Sequence, residues 1–81
     1  MNIYIGNLNF RVKEPALQEA LEAFGEVASV RIIRDRESGR SKGFGFAEMP
    51  NDDQAKQAIE SLNDSEFEGR RMILKEALPR Q

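Results

Sequence analysis

Residues 42–49 read Lys-Gly-Phe-Gly-Phe-Ala-Glu-Met, with two phenylalanines two positions apart. In an extended strand, successive side chains point to opposite faces. One face therefore carries Lys42, Phe44, Phe46 and Glu48, and the other carries Gly43, Gly45, Ala47 and Met49. Strand aromatics usually belong to a core. Here, burying Phe44 and Phe46 would take Lys42 and Glu48 inside with them, and an unpaired buried charge is expensive. The small opposite face suits close helix packing, so both phenylalanines are expected on an open face. Near the N-terminus, Ile3, Ile5 and Leu8 make an inner face and leave Tyr4 outside. If the two strands are neighbours, three aromatic rings meet in water beside Lys42 and Arg40. Exposed apolar clusters of that kind mark binding surfaces. Rings stack on flat π systems and the cations attract phosphate, a pairing that suits single-stranded nucleic acid.

Other chemistry is largely excluded. The chain has no Cys and no His. That removes disulfides, thiolate metal sites, cysteine nucleophiles, and the commonest general base and metal ligand. Gly43-Phe44-Gly45 lies within a strand and lacks the Gly-Lys-Ser/Thr ending of a phosphate-binding loop. Asp52-Asp53 stands at a helix start, where capping and the helix dipole explain it better than a metal. A small hydrolase of the acylphosphatase type would have only Arg and Asn to work with. The expectation is a protein that is not an enzyme and needs neither metal nor cofactor.

The elements that must position the rings follow from periodicity and punctuation. Asn2 to Leu8 reads as a strand and Asn7 to Lys13 as a loop. Pro15 suits the first position of a helix, where its missing N–H costs nothing. Leu17, Ala20, Leu21 and Phe24 then make one apolar stripe, with Gly25 as the stop. Lys13 and Glu14 are poor caps for that helix. Val27 to Ile33 reads as a second strand, with Ser29, Arg31 and Ile33 on its outer face. Arg34 to Ser41 is a charged turn, and the third strand is closed by Pro50. Asn51 or Asp52 caps a second helix striped by Ala55, Ala58, Ile59 and Leu62. Asn63 to Gly69 reads as a loop anchored by Phe67, and Arg71 to Ala77 as the last strand, with Ile73 and Lys75 on one side. The order β-α-β-β-α-β, with one apolar stripe per helix, predicts an α+β, ferredoxin-like fold. Both helices cover one face of a four-stranded antiparallel sheet, and the other face stays open.

Eighty-one residues allow one domain, expected over 1–77 with a short tail at 78–81. The net charge is −2 and the pI near 5.1, which argues weakly against a nucleic-acid partner. Its distribution argues the other way. Val30 to Lys42 holds five basic residues (Arg31, Arg34, Arg36, Arg40 and Lys42) against Asp35 and Glu37. Glu14 to Glu26 holds four glutamates and no base, and Glu48 to Glu68 seven acids and only Lys56. A basic end opposed to acidic helices is implied. No apolar run approaches the length of a membrane span, so no membrane partner is expected. Met1-Asn2-Ile3-Tyr4 lacks the character of a secretory leader, so the cytoplasm is the expected location.

These residues resemble a known family. Ile3-Tyr4-Ile5-Gly6-Asn7-Leu8 looks like the RNP2 motif of the RNA recognition motif, and Lys42 to Met49 looks like RNP1. The likeness extends through Phe24-Gly25, the Asp35 to Ser41 hairpin and the closing Glu76-Ala77, and is greatest to small single-domain proteins of bacteria and organelles. It implies a sheet order 4-1-3-2, with Tyr4 beside Phe44 and Phe46. It implies that Tyr4 and Phe46 each stack on a base of single-stranded RNA, or of single-stranded DNA. Phe44 would pack on the sugars between them and Lys42 would meet a phosphate. The chain departs from the family pattern at Ala47 and Met49, which face the core. It departs also at Ile73, outward where a basic or polar residue is common. Glu48 stands on the open face, where it repels phosphate.

The candidate RNA contacts are thus Tyr4, Phe44, Phe46, Lys42, Arg40, Lys75, Arg31 and Arg36. The basic hairpin acts as a phosphate clamp or stays a solvated turn with local ion pairs. Arg70 and Arg71 read as ordinary turn and strand-edge charges. Arg80 contacts RNA only if the tail crosses the sheet. A monomer is expected. The alternative on the same fold is a protein-interaction module whose open-face rings dock an apolar peptide.

Overall fold

A computed structural model describes residues 1–77. The elements are β1 (Asn2–Gly6), α1 (Glu14–Glu22), β2 (Ser29–Arg34), β3 (Ser41–Glu48), α2 (Asp52–Leu62), β4 (Ser65–Phe67) and β5 (Arg70–Ala77). The expected tail, Arg80 included, lies outside the described residues. All strand pairs are antiparallel, in the order β2-β3-β1-β5-β4. With β5 as the last of the anticipated strands, this is the 4-1-3-2 sheet with one strand added at its edge.

The added strand corrects the four-strand expectation. Within the segment read as a loop, Ser65, Glu66 and Phe67 pair with Met72, Arg71 and Arg70. Positive φ angles at Asp64 (62°) and Glu68 (52°) turn the chain on either side. Three residues with one apolar member carry almost no periodic signal, so the neighbouring strand decides their state. β1 is shorter than its apolar pattern, because Asn7 at φ 54° leaves the extended region. Leu8 still reaches the core through the loop that follows.

Each helix is held at its start by a different device. The Asn51 side chain caps α2, accepting from the Gln54 N–H at 3.0 Å. Lys13 gives α1 no side-chain cap. Glu14 instead takes both guanidinium nitrogens of Arg34, at 2.8 and 2.9 Å, fastening the first turn of α1 to the end of β2. α1 stops at Glu22, ahead of Gly25. Gly25 answers a packing need, since a Cβ there would run into the Gln54 side chain of α2.

Leu17 and Leu21 of α1 and Ala55 and Ala58 of α2 bury their side chains with Ile3, Ile5, Ile32, Ala47, Met49, Met72 and Leu74 of the strands and the turn after β3. Among the described residues no polar or charged residue is buried. No helix among them is long and apolar enough to cross a membrane.

Gly45 fixes how closely β2 and β3 approach. It stands opposite Ile32, and a Cβ on it would collide with the Arg31 carbonyl oxygen. At Gly39, in the hairpin turn, a Cβ would meet nothing within 4 Å. Gly45→Ala is therefore expected to destabilise by about 1–3 kcal/mol, the usual range for overpacking. Gly39→Ala, strained only by its φ of 72°, is expected to cost less. Urea unfolding of both variants checks the order.

Candidate nucleic-acid interface

The antiparallel registers place residues of four strands in line across the open face. Arg31 of β2 stands opposite Phe46 of β3, Phe46 opposite Tyr4 of β1, and Tyr4 opposite Lys75 of β5. Residues directly opposite share a face. The row therefore reads cation, ring, ring, cation. One row toward the end of β3, Asn2 stands opposite Glu48 and Ala77. One row the other way, Gly6 stands opposite Ile73.

Phe44 completes the cluster. Its ring centroid lies 6.1 Å from that of Tyr4 at 27° between planes, a stacked arrangement. Phe46 meets Tyr4 at 5.8 Å and 67°, and Phe44 at 6.3 Å and 90°, both edge-on. These separations lie within the favourable range for aromatic pairs. Phe46 is 39 % exposed and Ile73 36 %, while Tyr4 and Phe44 are half-buried. The Tyr4 ring lies over Gly6, where an added Cβ would stand 2.7 Å from the phenolic oxygen. The Lys75 ammonium sits 5.2 Å from the Tyr4 ring centroid, a cation–π contact.

Lys42, with Tyr4, Asn7, Phe44, Phe10 and Arg70, lines a depression of about 260 Å³ beside the stack. Arg70 donates to the Asn7 side-chain oxygen at 2.8 Å. Arg40 lies in a separate groove, against the β1–α1 loop. Arg36 is exposed in the hairpin turn, beyond the strand ends. The structure thus gathers Tyr4, Phe44, Phe46, Arg31, Lys75 and Lys42 about one surface and leaves Arg40 and Arg36 outside it. Two residues of this end of the sheet escape the sequence reading. Arg70 looks like any turn charge until Asn7 orients it. Phe10 is 63 % exposed although Leu8 and Val12, two positions away on either side, are buried, so spacing gave no signal for it.

Two carboxylates are tuned by their surroundings. The hydrogen bond from Arg34 is the largest cause holding the Glu14 carboxyl at about 2, below its ordinary value of 4.5. Asp35 is lowered by the backbone N–H groups of Glu37 and Ser38, and less by the charge of Lys42. The Glu14–Arg34 contact is partly open to water, with side chains 33 % and 41 % exposed, so it fastens the helix modestly. Among the described residues no group of three or more carboxylates is placed to hold a metal.

Comparison with known proteins agrees with this geometry. The RNA recognition motif family matches residues 3–73. The chain belongs to that family. It is 42 % identical to the Nostoc sp. protein RbpB over its whole length, covering 79 % of that protein. A crystal structure of RNA Binding Protein PG1 superposes with a TM-score of 0.96 at 57 % identity, covering all of this chain and 98 % of the other. A SXL-lethal protein/RNA complex superposes with a TM-score of 0.91 at 25 % identity, covering 99 % of this chain and 48 % of the other.

Glu14 has a folded-state pKa below its unfolded value, so its contribution is present above pH 4.5 and is lost as pH falls toward about 2. Thermal unfolding followed across that window is expected to show a smaller acid loss for Glu14→Gln than for the parent protein. Equal acid limbs would remove Glu14 as a contributor.

Proposed function

We propose that this protein binds single-stranded RNA on the open face of the sheet, with Tyr4 and Phe46 each stacking on a base. The row Arg31–Phe46–Tyr4–Lys75 carries the reading: two rings with centroids 5.8 Å apart on the open face, with a cation at each end. Phe44, stacked on Tyr4, packs against the sugars between the bases. Lys42 and Arg31 meet phosphates. Lys75 covers Tyr4 in the free protein, so a base landing there displaces the ammonium, which then reaches the strand. Arg40 and Arg36 add long-range attraction from the hairpin. Glu48, one row away, repels phosphate and sets a limit to the path on that side.

Family membership and the likeness to RNA Binding Protein PG1 support this reading. Docking an apolar peptide is served less well, because the rings are flanked by charges. We assign the role to one non-catalytic domain over residues 1–77, acting as a monomer in the cytoplasm. The composition supports the non-catalytic part, since neither His nor Cys is present. Single-stranded DNA can take the same rings, because stacking does not depend on the sugar.

Tyr4 is the single tyrosine and there is no tryptophan, so intrinsic fluorescence reports on Tyr4 directly. Titration with short single-stranded RNA is expected to quench it saturably. Phe46→Ala is expected to weaken binding about 5- to 150-fold, the equivalent of one lost stack at ~1–3 kcal/mol. Contacts from Arg31, Lys42 and Lys75 are expected to give a slope of about −2 in log affinity against log salt. Unchanged fluorescence together with unchanged affinity in Phe46→Ala would sink the stacking mechanism.

A further inference from the structure

Phe10 is the most exposed of the large apolar side chains among the described residues. Isolated exposed apolar side chains are ordinary. This one differs in how firmly it is presented. Leu8 and Val12 on either side of it are buried. Asn9 donates to the Glu68 carbonyl at 2.9 Å and accepts from the Arg11 N–H at 2.9 Å. The loop between β1 and α1 therefore holds the ring outward before any partner arrives, which lowers the cost of docking it. Arg11 stands exposed beside it and makes no ion pair among the described residues.

A matching groove lies behind the sheet, between α1 and the turn after β4, with a volume of about 260 Å³. Ala16 and Ala20, one helical turn apart, line it together with the half-buried Phe67. Their small side chains leave the space open. Glu19 and Glu68 stand exposed at the same groove and make no ion pair among the described residues. The groove is thus apolar within and acidic around it. Phe10 does not line the groove of its own chain, because its ring lies against Gly43.

The Asn9–Glu68 bond sets the ring and the groove side by side. A two-fold axis between such neighbours joins both contacts at once, since each copy offers the ring that the other receives. The charges agree with that exchange, because Arg11 accompanies the ring and two glutamates flank the groove.

We propose that two copies of this protein pair by exchanging Phe10, each ring entering the Ala16–Ala20–Phe67 groove of the other while Arg11 meets Glu19 and Glu68. One ring and one groove, counted twice, fall short of the ~1,200 Å² at which stable interfaces begin. The chain is therefore a monomer when dilute and pairs when concentrated. A pair carries two open sheet faces, so an RNA with two single-stranded sites is held twice over. That consequence rests on the RNA-binding reading of the open face; the pairing itself does not.

The test follows the free protein by sedimentation equilibrium from about 10 µM to about 1 mM, the span in which so small an interface associates. The parent is expected to move from one chain toward two, with amide shifts at Arg11, Glu19, Ala20 and Glu68 moving in step. Phe10→Ala is expected to weaken pairing about tenfold, as loss of a central anchor does. Arg11→Glu and Glu19→Arg are each expected to stay single, because each sets like charges against one another. Mixed in equal amounts they are expected to pair again, since the charge beside each ring then meets its opposite at position 19. Rescue by mixing is a result that a folding defect does not give. Phe46→Ala is expected to pair like the parent, which keeps the contact off the sheet. A parent that stays a single chain throughout would overturn self-pairing and leave the groove to a cationic segment of a different protein. Pairing that survives in Phe10→Ala and is lost in Phe46→Ala would overturn the exchange and move the contact to the platform rings. These measurements contain no RNA, so their failure is distinct from failure of the RNA-binding reading.

Discussion

The register between β1 and β3 sets Tyr4 opposite Phe46 and Ile5 opposite Gly45, and the rest of the molecule depends on that pairing. Side chains alternate along a strand, so a slip of one residue moves every one of them to the other face. A slipped β3 would press Phe44, Phe46, Lys42 and Glu48 toward the helices and turn Ala47 outward. The charged pair makes that alternative costly, and Gly45 makes the observed one compact by letting β2 lie close to β3. Core and interface are two faces of the same alternation. The residues that bury Ile3 and Ile5 also present Tyr4.

The strands that carry this alternation were legible in the sequence, and so were the open face and the three rings upon it. They were legible because period-two patterning and the cost of burying Lys42 and Glu48 both point the same way. The parts that were not legible depend on tertiary partners. β4 exists because β5 offers an edge to Ser65–Phe67. α1 ends at Glu22, before the glycine that looks like its stop, and that glycine makes room for Gln54. Arg70 joins the interface only through a hydrogen bond to Asn7, sixty-three positions earlier in the chain. The ion pair that replaces a cap on α1 joins Glu14 to a strand the sequence could place but not bring into contact.

Charge separation explains how a chain of net charge −2 can present a surface suited to phosphate. Glu19 and Glu22 lie on α1, and Asp52 and Asp53 in the first turn of α2, where they also suit the helix dipole. Apart from Lys56 on α2, the basic residues of the described chain lie on the strands and on the loops around the sheet. In the free protein the charge of Lys75 rests on the Tyr4 ring, and this shields an apolar surface from water. Under the proposed reading, a bound strand offers it phosphate in exchange.

Asn7 and Asn9 donate to the backbone carbonyls of Arg71 and Glu68, and Asn7 also accepts from the Arg70 side chain. Carbonyl oxygens are the same whichever residue carries them. Those two bonds thus constrain the length of the turn between β4 and β5, while its composition is constrained at Gly69, at φ 84°, and at Arg70, whose side chain meets Asn7. An insertion there would carry the two carbonyls out of reach and release the loop that bears Phe10. Among descendants of this chain the residue count of that turn should hold, and so should a glycine at 69 and a cation at 70.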